Sequence, residues 1–257
     1  VRPSATLAIN AKANALRAQG KEIINLSAGE PDFNTPDFIK QAAIDAINDN
    51  FTRYTPVDGI PELKQSIINK LAKDNQLHYE PSQIIVSTGA KQALYNFTQA
   101  ILNKGDEAII PAPYWVSYPD MVHLAEGTPI IINTTAKQHF KITAEQLKAA
   151  ITPKTRILFL NSPNNPTVMV YSKYELRSLA NILKEHPEII VASDDIYEYA
   201  LWEGKYYNIA NICPELKQQT IVFNGVSKAH AMTGWRIGYA AGDATIIAAM
   251  KKIQSQS

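Results

Sequence analysis

Four short apolar runs constrain this chain more than any other feature. They are IIVSTG (residues 84–89), ILFLNSP (157–163), EIIVASDD (188–195) and TIVFNGVS (220–227). None alternates polar with apolar positions. A strand that stays apolar along its length is covered on both faces, which is the condition of strands in a parallel sheet. Stretches with helical spacing lie between the runs, among them AKQALYNFTQAIL directly after the first. EAIIP reads as a further strand, and YWVSYPDMVHLAEG reads as helical despite its proline. Two helix starts are marked by capping boxes, Thr143 with Gln146 and Ser172 with Glu175. Strands alternating with helices predict an α/β fold with a mostly parallel sheet.

Composition narrows the partners. The 257 residues carry a formal net charge of +1, with 19% charged and 46% hydrophobic residues. That balance argues against nucleic acid or an anionic membrane as the main partner. No stretch approaches the roughly 20 uninterrupted apolar residues of a membrane helix. The opening VRPSATLAINAKANALRAQG is amphipathic and lacks the compact apolar run of a signal peptide. One cysteine, Cys213, excludes an internal disulfide and suits a reducing cytoplasm. Its simpler reading is a small buried hydrophobe.

Ligands of such sheets bind beyond the carboxyl ends of the strands, so the residues there matter most. The first run ends in Thr88, Gly89, Ala90 and Lys91, and small residues at a helix start leave N–H groups free for a phosphate. The second ends in Asn161-Ser-Pro-Asn-Asn-Pro-Thr167, pinned by two prolines, with Asn165 biased to an extended conformation. The third ends in Asp194, Asp195 and Tyr197, acids with no partner evident nearby in the sequence. The fourth leads to Lys228, with Arg236 eight residues on. Lys228 has two readings, a solvent-facing lysine at a helix start or a reactive amine. The set offers an anion cradle, an amide, an acid, a phenol, an amine and a guanidinium. Pyridoxal phosphate requires that list.

The stretches SAGEPDFNTP, RYTPVDGIPELK, STGAKQAL, PAPYWVSYP, NSPNNPT, SDDIYE and GVSKAHAMTGWRIGY are spread over most of the chain. In them the sequence resembles the class I aminotransferases of fold type I, within the bacterial aspartate aminotransferase branch. The resemblance implies a three-layer α/β/α large domain with a mostly parallel central sheet, over residues 35–257. Residues 1–34 would belong with the small domain, most of which would be missing. It implies pyridoxal 5′-phosphate as cofactor, with no metal. It further implies transfer of the amino group of an L-amino acid, aspartate first, to a 2-oxoacid, 2-oxoglutarate first, through a Schiff base with ping-pong kinetics. Aromatic, alanine-like or prephenate-type substrates are the alternatives within the branch. The setting would be the cytoplasm and the assembly a homodimer with shared sites.

Roles follow by resemblance. Lys228 is the Schiff-base lysine and proton shuttle. Asp194 partners the ring nitrogen, with Asp195 as the alternative. Tyr197 and Asn165 donate to the phenolic oxygen. Trp115 stacks on the ring, its other reading being a core tryptophan. Gly89, Ala90, Lys91, Ser227 and Arg236 surround the phosphate. Tyr54 reaches the phosphate of a neighbouring subunit. Gly29 contacts the substrate carboxylate, beside Trp115 and Asn165.

Two departures stand out. The family's glycine after NNPT is Val168 here. Either the loop takes another path or a β-branched residue bears a strained conformation. Members of the family also continue well past the lysine motif. None of Arg2, Arg17, Arg53, Arg156, Arg177 and Arg236 stands in the context of their substrate-carboxylate clamp. The chain is therefore expected to be a fragment that binds cofactor without useful turnover.

Overall fold

The computed structural model describes residues 5–26 and 29–257. Residues 1–4, with Arg2, and the Ser27-Ala28 pair that opens SAGEPDFNTP lie outside the described residues. Three helices come first, α1 (Ala5–Ala18), α2 (Asp37–Asn48) and α3 (Pro61–Asn75). The order then runs β1 (Ile84–Thr88), α4 (Gly89–Ile101), β2 (Glu107–Ala112), α5 (Ser117–Leu124), β3 (Thr128–Asn133), α6 (Ala144–Ala150) and β4 (Thr155–Asn161). It closes with α7 (Lys173–Leu183), β5 (Ile190–Asp194), α8 (Ile209–Ile212), β6 (Thr220–Gly225), β7 (Ile237–Ala241) and α9 (Ala244–Gln254).

The strands form one seven-stranded sheet in the order β1-β7-β6-β5-β4-β2-β3. Only β7 is antiparallel, to both β1 and β6. The mostly parallel α/β fold expected from the apolar runs is what the chain adopts.

Both faces of the sheet are covered. On one side Ile157 and Phe159 of β4 join Ala93, Leu94 and Phe97 of α4 and Val122 of α5. On the other, Leu158 and Leu160 meet Leu147 of α6 and Leu176, Leu179 and Leu183 of α7. Successive residues of one strand thus feed opposite cores, which is why no alternation appears in the sequence. Each such side chain contributes roughly 1.5–3 kcal/mol on burial. Both capping boxes form as read, at Thr143–Gln146 and Ser172–Glu175.

Helix α5 is shorter than its pattern suggested and begins at Ser117. Pro119 then falls in the first turn, where no N–H is required. Trp115 consequently stands in the loop before the helix. Strand β3 carries Pro129 and lies at the sheet edge, where proline is tolerated.

Candidate active site

The carboxyl ends of β1, β4, β5 and β6 lie along one edge of the sheet. Because β7 runs the other way, its amino end reaches the same edge. Thr88 pairs with Ile237, so the adjoining Arg236 stands beside the end of β1. Asn161 pairs with Asp194 and Asp194 with Phe223, which aligns the other three ends.

The start of α4 forms a cradle for an anion. Gly89 has φ +79°, and a Cβ there would lie 2.2 Å from Arg236 Nη2. Gly238 of β7 is closer still, since its Cβ would stand 2.0 Å from the Ala90 nitrogen. Two glycines thus let a strand, a helix start and a guanidinium meet. Arg236 donates from Nη1 to the Thr233 carbonyl at 2.9 Å, which orients the fork. The Lys91 ammonium lies 5.0 Å from the Trp115 ring centroid. Burial first and Arg236 second lower its pKa. Cations gathered this closely suit an anionic ligand. Ser227 lies next to Lys228, partly buried.

Asp194 is buried at the end of β5. Its Oδ2 accepts the Tyr118 hydroxyl at 2.5 Å, and among the described residues Oδ1 receives only a long 3.4 Å bond, from the Ile196 N–H. Burial pushes this carboxyl up, while Tyr118 and Ile196 pull it down. The carboxylate keeps acceptor capacity for one more donor. Asp195 points elsewhere, accepting from Ser193 Oγ at 2.8 Å and Asn208 Nδ2 at 2.6 Å. Both acids therefore have partners, contrary to the reading from the sequence. Ser193 was near enough to see; Tyr118 and Asn208 are brought in by the fold.

Lys228 is partly buried in the turn after β6, and no helix starts there. Its Nζ donates to the Gly29 carbonyl at 2.7 Å and lies 5.8 Å from the Tyr197 ring centroid. Burial lowers its pKa most, Glu30 raises it, and Arg236 lowers it. The Tyr197 hydroxyl accepts from Asn165 Nδ2 at 3.4 Å. Gly29, Glu30, Tyr197, Tyr199 and Lys228 line an open cleft of about 380 Å³. The amine, the phenol and the Gly29 backbone therefore share one cavity.

Trp115 is partly buried, edge-on to Tyr118 with ring centroids 5.4 Å apart. It packs on the core with one flank and meets Lys91 with the other. The Tyr54 side chain, expected at the phosphate of a neighbouring subunit, is fully exposed. Val168 takes φ +62°, so the loop bears the strain rather than avoiding it. Such a conformation costs an L-residue roughly 1–2 kcal/mol.

Three contributors escaped the sequence reading. Tyr118 holds Asp194, and its only signal was a tyrosine inside YWVSYP. Asn161 donates to the Asp194 carbonyl at 2.9 Å and accepts the Asn165 N–H at 2.7 Å, fixing the loop of the amide. Gly238 allows the close approach of β7 to α4. A glycine in a strand signals a close backbone contact.

Among the described residues no group of three or more His, Cys, Asp or Glu side chains could hold a metal. No helix among them is long and apolar enough to cross a membrane.

Residues 21–257 match the family model described as aminotransferase class I and II. The aspartate/prephenate aminotransferase of Nitrosomonas europaea is 55% identical over 258 residues, all of this chain and 65% of that protein. The aspartate aminotransferase of a Bacillus species, strain YM-2, is 57% identical over 99% of this chain and 65% of its own length. Among solved structures, the aspartate aminotransferase of Thermus thermophilus with maleate superposes with a TM-score of 0.96. It is 46% identical, covering all of this chain and 66% of that one. This chain thus spans about two thirds of the length of the proteins it matches.

Proposed function

Because this chain belongs to the class I and II aminotransferase family, we propose that the whole protein moves the amino group of an L-amino acid to a 2-oxoacid with pyridoxal 5′-phosphate as cofactor. Aspartate and 2-oxoglutarate are the first pair in this reading. A prephenate-type acceptor is the second, favoured by the name of the Nitrosomonas europaea relative. Residues 1–34 belong with the small domain and 35–257 form the cofactor-binding large domain. The protein works in the cytoplasm as a homodimer. Fully exposed Tyr54 and helix α2, which has no buried residue, support a partner surface there.

The observation that carries the reading is the meeting of a partly buried amine, a phenol and an anion cradle along one sheet edge. The donor set fits the cofactor. The N–H groups of Gly89 and Ala90, with Ser227, Lys91 and Arg236, would hold its phosphate. Asp194 would hold the proton of its ring nitrogen, and Tyr118 keeps that carboxylate aimed. Asn165 and Tyr197 would donate to its phenolic oxygen, and Trp115 would lie against its ring. When bound, pyridoxal phosphate supplies an aldehyde that condenses with amines and a ring that withdraws electrons from the substrate α-carbon.

The protein supplies the proton chemistry. A free lysine amine has a pKa near 10.4 and is almost wholly protonated at neutral pH. Burial and the Arg236 charge lower the Lys228 value, which raises the neutral fraction able to act as nucleophile and base. Lys228 Nζ would take the α-proton and carry it away from that carbon to the cofactor side of the cleft, as an exchange of amino and keto groups requires, and its bond to the Gly29 carbonyl holds the amine at the cleft. The Gly29 backbone and Asn165 then contact the substrate carboxylate.

The test loads the full-length protein with pyridoxal phosphate, reduces it with borohydride and maps the peptides. Lys228 should carry the label, and labelling of Lys91 or Lys205 instead would sink the assignment. Asp194→Ala should cut kcat for aspartate and 2-oxoglutarate beyond the roughly 10²–10⁴ of one acid–base group. Asp195→Ala should cost far less; the reverse order would move the ring partner to Asp195.

A further inference from the structure

A second cluster of polar side chains lies behind the site. Glu198 is buried, its side chain 3% exposed. Its carboxylate pairs with Lys70 of α3. It also accepts Asn75 Nδ2 and Asn224 Nδ2, each at 2.6 Å. Lys70 in turn donates to Asn75 Oδ1 at 2.6 Å. Among the described residues, the other titratable groups around the cluster are Asp74, which accepts the Tyr199 hydroxyl, and Asp195, Tyr199, Tyr206 and Tyr239.

A buried ion pair is a poor way to gain stability, because apolar residues of the same volume do as well or better. Hydrogen bonds do supply direction, and the placement of these is specific. Glu198 follows Tyr197 by one residue. Asn224 precedes Lys228 by four, and its Oδ1 accepts the Gly225 N–H at 2.7 Å, where β6 ends. The last rung between β5 and β6 joins Asp194 to Phe223. One more backbone bond follows, from the Asp195 N–H to the Phe223 carbonyl at 2.9 Å. Among the described residues no further backbone bond joins the two segments, one of which leads to Tyr197 and the other to Lys228. The Glu198–Asn224 bond ties them past the end of the ladder, and Lys70 with Asn75 anchors the tie to α3.

We propose that Glu198 is a positioning residue which, through Asn224 on one side and its own backbone on the other, sets the Lys228 amine against the Tyr197 phenol. The inference rests on the role of Lys228 given above. Small misplacements of reacting groups are costly to rate while leaving binding largely intact. The tie therefore acts on kcat and on the proton affinity of the amine.

The experiment uses full-length protein carrying Glu198→Gln or Asn224→Ala, each reconstituted with pyridoxal phosphate. Four quantities are read: the pH midpoint of the cofactor's visible absorbance, kcat and KM for aspartate, and the melting temperature without cofactor. Asn224→Ala cuts the tie to β6 while leaving the Lys70–Glu198 pair, so it carries the test if Glu198→Gln does not fold. Both should lower kcat by about tenfold or more with KM within about twofold. Both should move the absorbance midpoint by about half a pH unit or more. Unchanged kcat and midpoint in a folded variant, even with a lower melting temperature, would overturn the positioning role. If the unaltered protein develops no pH-dependent absorbance with pyridoxal phosphate, the cofactor reading itself fails. If it does and the variants match it, only this inference fails.

Discussion

Replacing Gly238 by alanine tests the geometry of the anion cradle directly. The added Cβ would stand 2.0 Å from the Ala90 nitrogen, 2.3 Å from the Gly89 carbonyl carbon and 2.7 Å from Ala90 Cα. Ordinary contacts of this kind begin at 3.4 Å. All three obstacles are backbone, so no side chain can swing aside. Either β7 or the start of α4 must retreat by about 1 Å or more, and overpacking of this kind costs about 1–3 kcal/mol. The rigidity of both elements places the cost at the upper end, roughly 3 kcal/mol. At about 2–4 °C per kcal/mol for a chain of this size, the melting temperature should fall by about 6–12 °C. The displaced N–H groups of Gly89 and Ala90 should also bind cofactor more weakly. Thermal melting with and without pyridoxal phosphate, and a cofactor titration, measure both effects. Gly234→Ala serves as the control, because nothing lies within 4 Å of its Cβ. A Gly238→Ala protein with the control's melting temperature and unchanged cofactor affinity would refute the argument.

Two further outcomes concern charge. Burial pushes Asp195 from its ordinary 3.8 up to about 7. A carboxyl raised in the folded state favours folding fully below its unfolded value and loses that contribution as pH climbs through the folded one. The span corresponds to roughly 4 kcal/mol lost between about pH 4 and 7. Asp195→Asn should therefore flatten the stability profile in urea across that window, and parallel profiles for the two proteins would contradict it. Glu30 raises the pKa of Lys228, so Glu30→Gln should lower the pH midpoint at which an acylating reagent modifies Lys228 in the cofactor-free protein. A midpoint that stays in place or rises would show that Glu30 does not act on the amine.

The sequence by itself determined the class of fold, because strands buried on both faces cannot hide their apolar runs. It determined the helix starts at Thr143 and Ser172, where cap and partner lie three residues apart and need no tertiary contact. It also marked the strand ends where Lys228, Asp194, Asn165 and Gly89 stand, since local patterns place them there. Tertiary structure decided what these residues touch. The antiparallel course of β7 carries Arg236 to the same edge as Gly89, and no local signal sets the direction of a strand. Tyr118 reaches Asp194 across 76 residues of chain. Asp194 and Asp195 are neighbours with the same side chain, and the fold gives one to Tyr118 and the other to Ser193 and Asn208. Val168 shows the same division. Its β-branched side chain was legible as a conflict with a glycine position, but only the closed loop, with the Val168 N–H bonded to the Asn164 carbonyl at 2.8 Å, decided that the residue would bear a positive φ. Local spacing acts through neighbours along the chain, whereas partners for buried charge are chosen by packing between elements far apart in it.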